Sequence, residues 1–459
     1  MPSSLGILDY AVIVLYLVLL VFLGLTRSRT SRSNQREYIL TGRRLSLPGF
    51  VATLVATWYG GILGVGENTF NYGIQTWFIF GLPYYVFAAL FALFIAGKIR
   101  QLEFISIPDQ FNKHFGKYPG ILSAVFLLFL ASPAPYILSI GILIQFLFGI
   151  SYVWALLIAT TLSLIYIWFG GFGAVVRTDI LQFILMFSGF ILLIIFAWIK
   201  IGSPVYLLRN LPETHLSPTG GQSFQFIAVW FFIALWTFID PGFYQRCAAA
   251  RTPKIARNGI LLSIVFWFAF DMLTLFSGLY ARLALDGNNA LFSFPLLGQQ
   301  LLPPILYGLF LTGIIATIMS TIDSLGLISA VTFGRDIVWR LKNKSNPTRL
   351  TQYGLAVMAA IALILAWQLP SVVKLWYLLG SVIVPGLLIP FLLTFTKISL
   401  PSNHTLFIMI VPVLLAGSWY FAGISASTYP LNLEPFYPGL AGSIILLSIG
   451  LLRLKKKAG

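Results

Sequence analysis

Ala56-Thr57-Trp58-Tyr59-Gly60-Gly61-Ile62-Leu63-Gly64-Val65-Gly66 puts four glycines into one otherwise apolar run. Each glycine costs a helix interior about 1 kcal/mol against alanine, so this run predicts an interrupted helix. A second run, Trp236-Thr237-Phe238-Ile239-Asp240-Pro241-Gly242, carries the other breaking signal, a proline beside a glycine. Such residues free backbone carbonyls, which inside a bilayer must find partners or line a cavity. The competing reading is that glycine only lets helices pack closely. Interruptions at matching places in two halves of a chain point instead to a binding site near the membrane midplane.

The bilayer itself follows from composition. Of 459 residues, 58% are apolar and 9% charged, where soluble domains carry about 25% charged. One soluble core could not hide that much apolar surface, whereas lipid solvates it and asks only that the backbone satisfy itself. A span needs about 20 apolar residues. Thirteen such runs are legible: 7–26, 48–72, 76–97, 119–147, 152–170, 174–200, 225–247, 258–284, 302–334, 349–368, 372–395, 404–423 and 437–453. The glycine-rich run lies in the second and Asp240-Pro241 in the seventh. An offset of five gives each of two halves, 48–200 and 225–395, its own interrupted helix, in opposite orientations as an inverted repeat requires. An extra N-terminal helix at 7–26 and two C-terminal helices at 404–453 complete the expectation. The fold class is an all-α polytopic membrane protein, a single transmembrane domain over residues 1–459.

A net charge of +16 could suggest a nucleic-acid partner, but the basic residues form no continuous face. They gather in alternate short loops, Arg27 to Arg44, Lys98 to Lys117, Arg246 to Arg257 and Arg335 to Arg349. Arg177 and Lys397 are singles on the same side, and the tail ends Lys455-Lys456-Lys457. Only Lys200, Arg209, Arg282 and Lys374 fall on the other side. This asymmetry makes the rich loops cytoplasmic, the N-terminus external and the C-terminus internal. The expected partner is a lipid bilayer and not nucleic acid. Basic charge following the first span also predicts an uncleaved helix and not a secretory signal. One cysteine, Cys247, excludes an internal disulfide, and His114, His215 and His404 are too scattered for a metal cluster.

Acids within spans cost about 2.5–3.5 kcal/mol each on insertion scales. Glu67 and Asp240 sit beside the breaks, Asp179 follows the turn Gly170-Gly171-Phe172-Gly173, and Asp271 stands among Phe, Trp and Met. The fifth, Asp323, closes a dense polar turn, Thr317-Ile318-Met319-Ser320-Thr321-Ile322-Asp323-Ser324. Thr317, Ser320 and Thr321 stand at i, i+3 and i+4 and share a helix face, as do Ser320, Asp323 and Ser324. Hydroxyl, carbonyl and carboxylate oxygens suit a small hard cation. The plainer alternative is that the hydroxyls bond back to the carbonyl one turn earlier.

These residues carry a resemblance to the sodium/solute symporter family, which includes sodium–glucose, proline, iodide and choline transporters. The stretches are Tyr38-Ile39-Leu40-Thr41-Gly42-Arg43, Gly170 to Asp179, Tyr244-Gln245-Arg246, Met319 to Ser324, and Asp336-Ile337. The resemblance implies a leucine-transporter-type 5+5 core and a plasma-membrane location (the inner membrane if the source is prokaryotic). It also implies sodium as coupling ion, with no cofactor. A main sodium site would fall on the carbonyls of Ala56, Tyr59 and Thr317 and the hydroxyls of Ser320 and Thr321. A second sodium site, present in some members, would fall on Asp179, Ser320, Asp323 and Ser324. For the solute, the first break is most similar to the choline-transporter branch, whose aromatic cage would map to Trp58, Tyr84 and Trp376. Trp236 and Asp240 join these as substrate candidates, Asp240 standing where that branch has tryptophan. Plain packing of the aromatic residues and a helix-end role for Asp240 remain open alternatives.

Other function classes lack their signatures. No phosphate-loop motif serves a primary pump, and no catalytic pair sits in a span to make an enzyme. A channel or a transport-dead sensor on the same fold is the alternative to a sodium-coupled importer of a small organic solute. Oligomeric state leaves no trace in the sequence.

Overall fold

The computed structural model describes residues 5–25, 35–102, 104–285, 287–342, 347–368, 371–426 and 428–458. The basic residues at 27–33, Lys344 and the side chains of Lys455 to Lys457 lie outside them. Among the described residues, eleven helices are long and apolar enough to cross a bilayer, and one bent pair adds a twelfth. In chain order, α1 is Ile7–Leu25, α2 the bent pair Leu47–Tyr59 and Ile62–Tyr72, α3 Gln75–Gln101 and α4 Lys117–Phe148. The helical stretch 152–170, here α5, was expected as a thirteenth span and is not among these twelve. It runs into α6, Gly171–Lys200, through Gly171 at φ 56° and ψ −154°. Only glycine takes that backbone easily, and a Cβ there would lie 2.5 Å from the Tyr38 carbonyl oxygen. There follow α7 Phe224–Ala249, α8 Pro253–Ala284, α9 Leu306–Lys342, α10 Thr348–Gln368, α11 Val372–Leu393, α12 Ser402–Ala426 and α13 Phe436–Leu454.

Helix starts follow capping chemistry. Ser46, Ser223, Thr252 and Ser371 accept from the backbone N–H three residues on, and Pro48 and Pro253 occupy first-turn positions whose donors need no partner. The core is organised around α9. In its central window 94% of residues are buried, against 17% in α13 and 28% in α1, so α9 is surrounded by protein while the terminal helices face lipid. An acid in α1 anchors it: Asp9 Oδ1 accepts from Ile305 N and Gly308 N, both at 2.9 Å, satisfying donors at the start of α9.

The two expected interruptions differ in degree. The two halves of α2 meet at an angle of 58°. In α7 the helix pauses at Ala234–Leu235 and again at Asp240, which is extended at φ −69° and ψ 116°, then restarts as Pro241–Ala249. The cytoplasmic ends of the two interrupted spans are stitched together. Leu45 N donates to Ala249 O at 3.1 Å, and Arg251 N to Leu45 O at 3.0 Å.

Candidate functional site

The site begins where the unwound part of α2 meets α9. Helix Leu47–Ala56 passes into a tight turn over Thr57–Tyr59 and restarts at Ile62. Gly60 allows the approach, since a Cβ there would come within 2.5 Å of the Thr321 and Tyr136 side chains. Thr321 Oγ1 donates to Thr57 O at 2.8 Å, with Thr317 O a further 3.3 Å acceptor. Of the expected ligands, Thr321 and the Thr317 carbonyl are in contact here, and the α2 partner differs from the expected ones. The carbonyl that Thr321 touches is that of Thr57, between the expected Ala56 and Tyr59. Ala56 is fully buried beside it, and the Tyr59 hydroxyl reaches away to Trp267 O at 2.9 Å.

The polar turn of α9 divides between the two readings open to it. Thr317 does bond back one turn, to Gly313 O at 2.7 Å. Ser320 does not, and donates instead to Asp179 Oδ1 on α6 at 2.6 Å. The other Asp179 oxygen accepts from Thr53 Oγ1 on α2. Asp323 is fully buried near Tyr16, whose hydroxyl donates to the Gln182 side-chain carbonyl at 3.1 Å.

At the centre lies a residue that sequence reasoning misplaced. Arg246 was expected in a cytoplasmic loop, but it is completely buried. The reason is the Asp240 cap: it restarts α7, so Arg246 falls on the second turn of a helix still inside the protein. Arg246 Nη2 donates at 2.7 Å to Thr57 Oγ1, 2.9 Å to Thr53 Oγ1, 2.9 Å to Ser324 Oγ and 3.0 Å to Thr53 O. Asp179 Oδ2 is 3.9 Å away, and Nη1 reaches Gly242 O at 3.3 Å. Thr53 and Thr57, one turn apart on α2, went unnoticed too, although their i, i+4 spacing is the same signal that singled out α9.

Between the breaks is a cavity of ≈ 1110 Å³, open mouth included, and Trp58, Tyr84, Trp236, Asp240 and Trp376 all line it. Trp58 is packed edge-on to Tyr84 at 5.1 Å and Phe243 at 5.8 Å and tilted against Trp267 at 4.9 Å. Trp376 Nε1 donates to Tyr136 Oη at 3.2 Å. Asp240 Oδ1 accepts from Phe243 N at 2.9 Å, so the helix-end role holds while the residue also faces the cavity. Asp271 is a cavity-wall acid that accepts from Tyr85. Among the described residues, the wall donors Trp77 Nε1, Trp236 Nε1, Thr237 Oγ1 and Arg246 Nε are buried without a hydrogen-bond partner. Glu67 stands apart from the cavity, within electrostatic reach of Lys374.

The cytoplasmic side carries a cluster of ion pairs. Asp109 meets Arg335 at 2.8 Å and Arg340 at 2.6 Å, and Asp336 pairs with Arg335 and, at 3.5 Å, with Arg340. Burial works against the Asp109 carboxylate, but Arg335 and then Arg340 outweigh it and hold its pKa below the ordinary value. The three histidines each meet a backbone carbonyl, those of Ile398, Phe70 and Leu446.

With this geometry in hand, residues 38–398 match the sodium:solute symporter family. The chain belongs to that family. Similar relatives are the sodium/pantothenate symporter of Haemophilus influenzae, 29% identical over 67% of each chain, and the high-affinity proline transporter PutP of Bacillus subtilis. The latter is 27% identical over 90% of this chain and 91% of its own. High-affinity choline transporter 1 of Drosophila melanogaster is 23% identical over 81% of this chain and 64% of its own. A solved Na+-coupled sialic acid symporter, in a substrate-bound outward-open state, shares the fold with a TM-score of 0.81, 18% identity and 97% coverage of both chains. The symporter is therefore a multi-pass plasma-membrane protein that couples sodium to solute import, and the relatives named are transporters, not enzymes.

Proposed function

We propose that this symporter binds Na+ between the carbonyls of Ala56, Tyr59 and Thr317 and the hydroxyls of Ser320 and Thr321. The solute then lies in the aromatic cavity directly above. The reading is carried by one observation, the Thr321 hydroxyl on the unwound α2 backbone at Thr57 O. That contact supports a sodium ion as the clasp between α2 and α9, and through α2 the clasp reaches Trp58 in the cavity wall.

The cavity favours a small organic amine or zwitterion that also carries a hydrogen-bond acceptor. Aromatic faces at Trp58, Tyr84 and Trp376 attract an ammonium head, and Asp240 and Asp271 add carboxyl oxygens to the wall. The unpartnered Trp236 and Thr237 donors suit the acceptor, because buried polar groups seek partners. Arg246 lines the cavity as well, with its Nη2 already taken up by oxygen atoms of the protein.

In the cycle, sodium and solute bind from outside, and the five-helix units 48–200 and 225–395 rock so that the cytoplasmic ion pairs part. At 100 mV each sodium charge moved inward adds about 2.3 kcal/mol of drive. Uptake into proteoliposomes under an inward sodium gradient, screened over choline, betaine, proline, other amino acids, pantothenate and sugars, tests this. Accumulation of one amine or zwitterion that collapses without sodium is the expected result. Sodium-independent equilibration would sink coupled transport, and preference for an uncharged sugar would sink the cavity reading.

A further inference from the structure

We propose that Asp271 on α8 selects the solute by its nitrogen, admitting amines and zwitterions whose nitrogen bears hydrogen and disfavouring the fully methylated, quaternary form. This rests on the cavity reading above and goes beyond it, because aromatic faces alone would serve either kind of head.

The two acids of the cavity wall are differently engaged. Asp240 Oδ1 accepts from Phe243 N at 2.9 Å and caps its own helix. Asp271 is half-buried, and its Oδ2 accepts from Tyr85 on α3. Tyr59 Oη lies beside it, but the single hydrogen of that hydroxyl goes to Trp267 O at 2.9 Å. A carboxyl group offers up to about four acceptor positions. Among the described residues, Tyr85 is the side chain that fills one, and no lysine or arginine stands beside it. Gly81 on α3 makes room for the group, since a Cβ there would lie 2.9 Å from Asp271 Oδ2 and 3.0 Å from Trp77 Nε1. Asp271 also lies outside the stretches that carry the family likeness.

A solute closing off this cavity must answer those oxygens. A quaternary head brings no hydrogen and would seal them from water unfilled, whereas an N–H head fills them. Leaving a buried acceptor unsatisfied is the costly case. For the same reason a site that hydrogen-bonds an N–H rejects the analogue lacking it far more strongly than an apolar pocket rejects one methyl group. The α7 wall holds the complementary groups, the donors Trp236 Nε1 and Thr237 Oγ1. The solute's nitrogen thus points to α8 and its acceptor to α7.

The test uses probe pairs that differ only in methylation of nitrogen: proline and N,N-dimethylproline, glycine and glycine betaine, ethanolamine and choline. Each is titrated against the purified full-length protein in saturating Na+, with binding read by tryptophan fluorescence. The N–H member of the best-bound pair is expected to bind at least about tenfold more tightly. Asp271→Ala should bring that ratio to about one and leave the sodium requirement unchanged, and Asp271→Asn, which keeps a carbonyl oxygen, should retain part of it. A quaternary member that binds wild type equally or better would overturn the proposal, as would an undiminished ratio in Asp271→Ala. If that variant does not fold, the wild-type ratio decides alone. Binding of no member of any pair would instead overturn the cavity reading on which the proposal stands.

Discussion

The two interrupted spans do the same job with opposite means. In α2 the break is made by absent side chains: Gly60 and Gly61 let α9 and Trp376 press onto bare backbone, and the axis bends by 58°. In α7 it is made by a side chain that is present. Asp240 leaves the helical path and caps the next segment through Phe243 N. The first break offers carbonyls to a neighbour, and the second aims Arg246 back at the first. A glycine break thus creates acceptors and a capped break delivers a donor, which is why the two fit together.

The largest effect that could break this comparison is expected at Gly60. A methyl there would sit 2.5 Å from Thr321 Cβ and Tyr136 Cδ1, so Gly60→Ala should abolish sodium-driven uptake in protein that still inserts normally. Wild-type uptake would mean that close backbone contact is dispensable. Next comes Thr321→Ala, which removes one oxygen from the proposed clasp. Losing a buried polar partner costs about 1–3 kcal/mol, so the sodium concentration for half-maximal uptake should rise roughly 5- to 150-fold. An unchanged sodium requirement would remove the proposed site.

Trp58→Ala should act on the solute more than on the ion. Cation–π contacts are worth about 0.5–2 kcal/mol, so half-saturation by the transported solute should rise several-fold, and sodium affinity should change by less. Equal changes in both would merge the cavity with the sodium site. The smallest effect is expected at Asp240. Replacement by alanine should cost about 1 kcal/mol of stability as a lost cap, read as a lower unfolding temperature. Asp240→Asn keeps a capping oxygen, so any solute effect it retains reports the charge alone.

Legibility followed locality. The spans, their order and the place of both breaks could be read because hydropathy, glycine and proline act within a few residues of themselves. Ser320 and Thr321 could be singled out because helical spacing alone puts them on one face. Arg246 could not. A basic residue near the end of an apolar run looks like a loop residue until the Asp240 cap is known to extend the helix past it. Asp9 was missed for a similar reason: its partners, Ile305 N and Gly308 N, lie some 300 residues away.

The sequence by itself determined that this chain lives in a bilayer, that it crosses it many times, and where its helices fail, since each is a free-energy balance struck by neighbouring residues. Tertiary structure alone decided what fills the failures. Thr321 reaches Thr57 O, Ser320 reaches Asp179, and Arg246 enters the oxygen nest between α2 and α9. Those pairings join distant segments, and a buried charge or open carbonyl fixes only the need for a partner, not its identity.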